Sequence, residues 1–150
     1  MNAEKKRVLF VCLGNACRSQ MAEGFARKYG GDVLVAASAG LTPAMHVAPD
    51  TLRAMGEKNI DLRDHFPKGI RLLGRARFDL AINMSGLSIP EDLAAHEDEW
   101  DVPDPVFMKY KDHCGVRDQI ERLVMNLILQ LRKEQSSPHF RGQGSHLPRP

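Results

Sequence analysis

Cys12 and Arg18 enclose the short segment Leu13-Gly14-Asn15-Ala16-Cys17, and Ser19 follows directly. A thiolate is a strong nucleophile, and a guanidinium offers a planar fork that grips two oxygens of an anion. These two types suit attack on a tetrahedral oxyanion, with Cys12 bonding the central atom and Arg18 holding the oxygens. With phosphorus at the centre, the product is a phosphocysteine that water hydrolyses. The spacing alone is weak evidence, because a cysteine and an arginine so placed arise readily by chance. The setting strengthens it. An apolar run ends at Cys12, a Gly-Asn turn follows, and a helical pattern begins near Ser19. A loop at such a junction presents free backbone N–H groups and the positive end of a helix dipole, which bind an anion and favour a thiolate. Leu13, Gly14, Asn15, Ala16, Cys17, Arg18 and Ser19 are therefore the candidate phosphate-binding residues. Gly14 and Asn15 can adopt unusual backbone angles. The Ser19 hydroxyl can brace the loop or cap the helix.

A second group sits far along the chain. Asp104 lies between Pro103 and Pro105, on a segment stiff enough to hold a carboxyl in place. It reads either as a general acid that protonates a departing oxygen or as the start of an Asp-Pro turn. Asp101 is its nearest rival. Cys17 also has two readings. It is a redox partner that traps oxidised Cys12 as a disulfide, or a small packed residue. His46, His96, His113, His139 and His146 show no ligand-like spacing and are expected to be solvated. No CxxC pair is present, so no metal site is expected, and the chemistry requires no cofactor. Cys114 reads as a packed residue.

The elements that must position these groups follow from pattern. Residues 8–12 form an apolar, β-branched run, as in a buried parallel strand. A helix is expected over 19–29, with Met21 and Phe25 inward, stopped by Gly30-Gly31. A second strand covers 33–37, which completes a strand-helix-strand unit and brings a parallel sheet. Pro49 opens another helix that fades near Asn59. A weaker helical segment spans 70–77, a third strand 80–84, and a short helix 90–96. Residues 101–107 are a loop. The last helix carries Ile120, Leu123, Val124, Leu127, Ile128 and Leu131 as one buried stripe. From Gln135 the composition turns to Ser, Pro, Gly, His and Arg, so residues 1–134 are read as one domain and 135–150 as a disordered tail.

The bulk numbers narrow the class. A chain of 150 residues suits one domain with an adequate core. A formal net charge of +2 argues for neither nucleic acid nor a membrane surface as partner. Three cysteines are too few and too unevenly counted for a disulfide framework, which fits a reducing, cytoplasmic location. The apolar run after Lys5, Lys6 and Arg7 is too short for a secretory core or a membrane span.

The segment from Val11 to Glu23, VCLGNACRSQMAE, resembles the signature of the low-molecular-weight protein tyrosine phosphatases. It is also similar to the related thioredoxin-coupled arsenate reductases, which share that fold. Ser38-Ala39-Gly40, the run Asn59-Ile60-Asp61-Leu62 with His65, and Asp104-Pro105 extend the resemblance to about Lys133. It implies an α/β three-layer sandwich, with a central, mainly parallel four-stranded sheet flanked by helices and a phosphate-binding loop after the first strand. It implies Asp104 as general acid, and a hydrogen-bond network of Asn15, Ser19, Ser38 and His65 bracing the loop.

Two departures shape the expected function. After Asp104-Pro105 come Val106 and Phe107, so one aromatic is left to wall a phenyl slot, and the other wall offers His46 and Val47. Gln20-Met21-Ala22-Glu23-Gly24 is closer to the reductases, yet the stretch Met84-Ser85-Gly86-Leu87-Ser88 lacks the two cysteines they place after the third strand. The main expectation is a phosphatase that hydrolyses phosphate monoesters, protein phosphotyrosine or a similar aryl phosphate, with a phosphorylated protein or small phosphate ester as partner and Cys12, Arg18 and Asp104 catalytic. The alternative is an arsenate reductase served by thioredoxin or a low-molecular-weight thiol. A non-catalytic phosphate-binding module is the third reading.

Overall fold

The computed structural model describes residues 4–136. Four parallel strands form one sheet in the order β2-β1-β3-β4. They are β1 Lys6–Cys12, β2 Leu34–Gly40, β3 Phe78–Asn83 and β4 Ala94–Glu99. The helices are α1 Arg18–Gly30, α2 Pro49–Gly56 and α3 Tyr110–Ser136. β1 is central because it is apolar on both faces. Val8, Phe10 and Cys12 pack into the core beneath the helices, while Leu9 and Val11 join a second cluster on the opposite face. The period of two in a strand produces this division.

The helical side is the larger core. Met21, Ala22, Phe25 and Ala26 of α1 meet Met55 of α2 and the stripe Val116, Ile120, Val124, Leu127, Ile128 and Leu131 of α3. The far face is covered by shorter pieces, including Ile70, Leu73, Ile89 and Leu93. The helical segment expected over 70–77 is reduced to one 3₁₀ turn, Ile70–Leu73, which ends at Gly74 with a φ of 60°. A continuing helix is incompatible with that left-handed angle.

The helix expected over 90–96 is absent. Glu91–Leu93 makes a single 3₁₀ turn, and Ala94–Glu99 pairs with β3 as the fourth strand. Its sequence, AAHEDE, is rich in helix formers. Pairing with the free edge of β3 overrides that propensity, and the charged side chains suit an edge strand that must not recruit another chain. At the C-terminal end α3 takes in Gln135 and Ser136, two residues beyond the expected boundary. Residues 137–150, where the disordered tail was expected, lie outside the described residues, as do His139 and His146. Among the described residues no helix is long and apolar enough to cross a membrane.

Candidate active site

β1 delivers Cys12 to the end of the sheet, and the chain loops through residues 13–17 before α1 starts at Arg18. The loop owes its shape to the segment beside it. The amides of Leu41, Thr42, Ala44 and Ala48 donate to the carbonyls of Cys12, Leu13, Gly14 and Ala16 at 2.8 to 3.1 Å. With those carbonyls held outward, planar trans peptides turn the N–H groups of Leu13, Gly14, Asn15 and Cys17 the other way, into a cup. Gly40 makes the contact possible. A Cβ there would stand 2.8 Å from the Asn15 amide nitrogen and the Leu13 carbonyl oxygen, closer than real side chains approach backbone.

Asn15 is the strained member, with a φ of 52°. Of the two residues expected to bend unusually, Asn15 is the one that does, and Gly14 is not left-handed. Asn15 is fully buried, and its side chain makes three hydrogen bonds. Its Nδ2 donates to Ser19 Oγ at 2.6 Å, while its Oδ1 accepts from Gln20 Nε2 at 3.1 Å and from the Lys68 backbone N–H at 3.0 Å. Ser19 Oγ lies 2.9 Å from Cys12 Sγ. Either atom can donate, and when Cys12 acts as a thiolate the Ser19 hydroxyl can give its proton to the sulfur and stabilise the negative charge.

His65 and Ser38 stand one step further out. His65 Nδ1 lies 3.0 Å from Gln20 Oε1, so its link to the loop passes through Gln20. Burial holds its pKa below the ordinary histidine value. Ser38 does not touch the loop; it donates to buried Glu23, and Lys68 Nζ reaches both Ser38 at 3.4 Å and Glu23 at 3.9 Å. Gln20 and Lys68 are thus part of the scaffold, although nothing in their local sequence marks them. The bonds from Gln20 to His65 and from the Lys68 amide to Asn15 span 45 and 53 residues of chain.

Arg18 enters from the start of α1, with its side chain 7% exposed. Its Nη1 donates to the carbonyls of Met84 and Val102, the latter at 3.0 Å. Its Nη2 stands 3.5 Å from Asp104 Oδ2. Its Nε has no partner, and among the described residues it is the buried side-chain polar atom left unsatisfied. A buried donor so placed costs about 1–3 kcal/mol, and an oxyanion oxygen would satisfy it. Asp104 faces this guanidinium across the cup and is 39% exposed. Its Oδ1 also accepts from the Val106 amide at 3.2 Å, so the Asp-Pro turn and the placement of the carboxyl occur together. Asp101 is not part of the cup's lining; it lines the neighbouring cleft, which Arg18 and Asp104 also border.

The cup has a volume of about 210 Å³, and Cys12, Cys17, Arg18, Thr42, Ala44, Asp104 and Val106 are among its walls. Among the described residues no aromatic side chain lines it. Phe107, the aromatic left to wall a slot, is 97% exposed and lies outside. His46 and Val47 are not in the lining either; Thr42 and Ala44 take that side. Cys17 is buried beside Cys12, and desolvation pushes its thiol pKa up to about 11, opposed by a hydrogen bond with Thr51. His113 is not solvated as expected but 1% exposed, under the cup. No cluster of metal-ligating side chains occurs among the described residues.

A cysteine at the end of a parallel strand, facing an anion loop and a buried arginine, defines an enzyme that works on oxyanions through sulfur. The family model described as low molecular weight phosphotyrosine protein phosphatase matches residues 7–137, and the chain belongs to that family. Within it, curated relatives with 30% identity or more are named arsenate reductases. A glutaredoxin arsenate reductase of Synechocystis sp. is 32% identical over 130 residues, covering 84% of this chain and 98% of that protein. An arsenate reductase of Bacillus cereus is 36% identical over 124 residues, covering 77% and 89%. A solved arsenate reductase in its phosphate-binding state superposes with a TM-score of 0.76 at 32% identity, covering 84% of this chain and 98% of that one. The family and an enzyme with a catalytic cysteine are thus as expected, while the reductase alternative has better support from these relatives than the phosphatase reading.

Proposed function

We propose that the protein is an arsenate reductase that draws its electrons from an external thiol. Cys12 attacks arsenic, Arg18 and the loop amides hold the oxygens, and Asp104 protonates the departing oxygen so that it leaves as water. A thiolate from outside then attacks Cys12 Sγ. The sulfur–arsenic bond breaks, its electron pair stays on arsenic, and arsenite departs. Cys12 is left in a mixed disulfide, which a second thiol resolves, so two thiols become one disulfide for each arsenate reduced. Such thiols are kept reduced in a cytoplasmic setting, and a glutaredoxin, a thioredoxin or a small thiol is the class of partner required.

The observation that carries this reading is the lining of the cup. Thr42, Ala44 and Val106 enclose room for an inorganic oxyanion, and none of the described residues presents an aromatic face there to stack on a phenyl ring. The need for an outside thiol follows from the cysteines. Met84 to Ser88 supplies none, and Cys17, with its thiol held up to about 11, is mostly protonated at neutral pH and attacks slowly. Arsenate-dependent oxidation of NADPH, coupled through glutathione and glutaredoxin or through thioredoxin and its reductase, tests the proposal. Turnover of arsenate should exceed hydrolysis of para-nitrophenyl phosphate by the same sample. Ester hydrolysis without arsenate-dependent oxidation would reverse the assignment.

Hydrolysis of phosphate monoesters is the second reading, and the position of Asp104 favours it. A carboxyl at the mouth of the cup, beside Arg18, suits protonation of an ester oxygen. A small ester or an extended phosphorylated side chain meets fewer demands on the walls than an aryl group.

A further inference from the structure

Asn83 ends β3 and is 2% exposed. It lines the cleft next to the cup and not the cup itself. Its side chain ties down the stretch that follows, Met84 to Ser88, which carries no cysteine. Oδ1 accepts from the Ser85 backbone N–H at 2.9 Å and from Ser85 Oγ at 2.6 Å. Nδ2 donates to the Leu87 carbonyl at 2.7 Å and to Glu97 Oε2 on β4 at 3.3 Å. A backbone N–H on one side and a backbone carbonyl on the other decide which end of the amide is oxygen. Gly86, with a φ of 76°, lets the chain turn back inside this ring of bonds.

The peptide that joins Met84 to Ser85 links Asn83 to the site. A trans peptide is planar, and its N–H and carbonyl point opposite ways. Here the N–H is held by Asn83 Oδ1, and the carbonyl accepts from Arg18 Nη1. The second proton of Nη1 goes to the Val102 carbonyl at 3.0 Å. Val102 is tied to the same strand end, because the Trp100 N–H donates to the Asn83 carbonyl at 3.0 Å. An Nη nitrogen has two protons, so the framework uses both protons of Nη1. The guanidinium is left with the edge formed by Nε and Nη2, and this edge can grip two oxygens of an anion. Nε is buried without a partner, and Nη2 stands 3.5 Å from Asp104.

We propose that Asn83 is a positioning residue, which sets the plane of the Met84–Ser85 peptide and thereby turns the Nε–Nη2 edge of Arg18 toward the oxyanion. The proposal rests on the reading of Arg18 as the oxyanion clamp, and it holds for arsenate and phosphate alike. Without the bond to Oδ1 this peptide is free to rotate and carry its carbonyl away from Nη1. Arginine has a long side chain with much rotamer freedom, so losing one of two pins releases the fork. A misplacement of about 1 Å in a catalytic group can cost about 10²-fold.

Two substitutions on one turn separate positioning from packing. Asn83→Ala removes the acceptor of the Ser85 N–H. Ser85→Ala removes a hydroxyl that bonds Asn83 Oδ1 and the Leu87 N–H, and it keeps the backbone N–H. Inorganic phosphate is the probe, and calorimetry on the whole protein gives its dissociation constant. Asn83→Ala should weaken binding about tenfold, and Ser85→Ala less than about threefold. Once Arg18 is Lys, adding Asn83→Ala should cost nothing further. Equal losses in the two variants, or a loss from Asn83→Ala that multiplies with Arg18→Lys, would show packing alone and overturn the proposal. A second measurement does not depend on affinity. Nitrogen-15 spectra of arginine-labelled protein should show two separate proton signals for Nη1 of Arg18. Ser85→Ala should keep them, as should Asn83→Asp, which retains the acceptor, and Asn83→Ala should merge them with those of Nη2. Averaged signals in the parent or in Asn83→Asp contradict the proposal, even where Asn83→Ala fails to fold. Phosphate affinity untouched by Arg18→Lys would sink the clamp used in the proposed function, while the spectra would still decide whether Asn83 holds the guanidinium.

Discussion

Replacing Asn15 tests how the loop is held, because backbone strain and side-chain bonding can be removed separately there. Asn15→Gly deletes three hydrogen bonds, those with Ser19, Gln20 and the Lys68 amide, and leaves the φ of 52° free of strain. At about 1 kcal/mol net for each bond, the loss is about 3 kcal/mol. Asn15→Ala deletes the same bonds and adds about 1–2 kcal/mol for a Cβ in left-handed backbone. Part of that addition, about 0.4–1 kcal/mol, is returned because alanine stiffens the unfolded chain relative to glycine. The alanine variant should therefore be less stable than the glycine variant by about 1 kcal/mol. Urea unfolding at one pH measures both, and phosphate affinity should fall in both as Ser19 loses its alignment toward Cys12. Alanine as stable as glycine, or either variant within about 0.5 kcal/mol of the parent, would refute the strained, hydrogen-bonded Asn15 described here.

Arg18→Lys should abolish most turnover, because an ammonium cannot bond the Met84 and Val102 carbonyls and an oxyanion in one plane; steady-state rates check it, and a loss under tenfold would contradict it. Peroxide should link Cys12 to Cys17 slowly at neutral pH. The rate should rise about tenfold per pH unit toward a Cys17 pKa of about 11, since the attacking species is the thiolate; peptide mapping of timed samples reads this, and a rate flat with pH would show that Cys17 is not the trap. Stability should fall as pH drops below about 6.5, because His113 and His65 resist protonation in the folded state, where burial depresses both, while the unfolded chain takes up those protons. For His113 the slope is at most about 1.4 kcal/mol per pH unit, and His113→Asn should flatten it in melts recorded from pH 7 to 5.

The parts of the site that lie close in sequence were legible as residues. An apolar run, a cysteine, a Gly-Asn turn and an arginine at the head of a helix are local features, and the structure builds them as local features. Gly40 was legible only through the resemblance carried by Ser38-Ala39-Gly40, and the reason for it, the approach of Gly40 to the loop backbone, needs two segments in place. β4 was not legible. Ala94–Glu99 has the composition of a helix and becomes a strand because β3 offers an edge. Gln20, Lys68, Thr51 and His113 were missed for a related reason. Each makes a bond to a residue distant in sequence, Gln20 to His65, Lys68 to Asn15 and Thr51 to His113, and neither spacing nor periodicity encodes such a meeting. Phe107 shows the converse. Its place after Asp104-Pro105 made it the candidate wall, yet the turn at Asp104 leaves it outside the cup.

The central claim is that Cys12 carries arsenate through to arsenite with an outside thiol. Mass spectrometry of the intact protein during a single turnover with arsenate and glutathione tests it most directly. The account predicts a glutathione adduct on Cys12 that forms only when arsenate is present, accompanied by one arsenite per adduct, and absent from Cys12→Ser. No adduct and no arsenite, beside a phosphorylated Cys12 trapped from a phosphate ester, would contradict it.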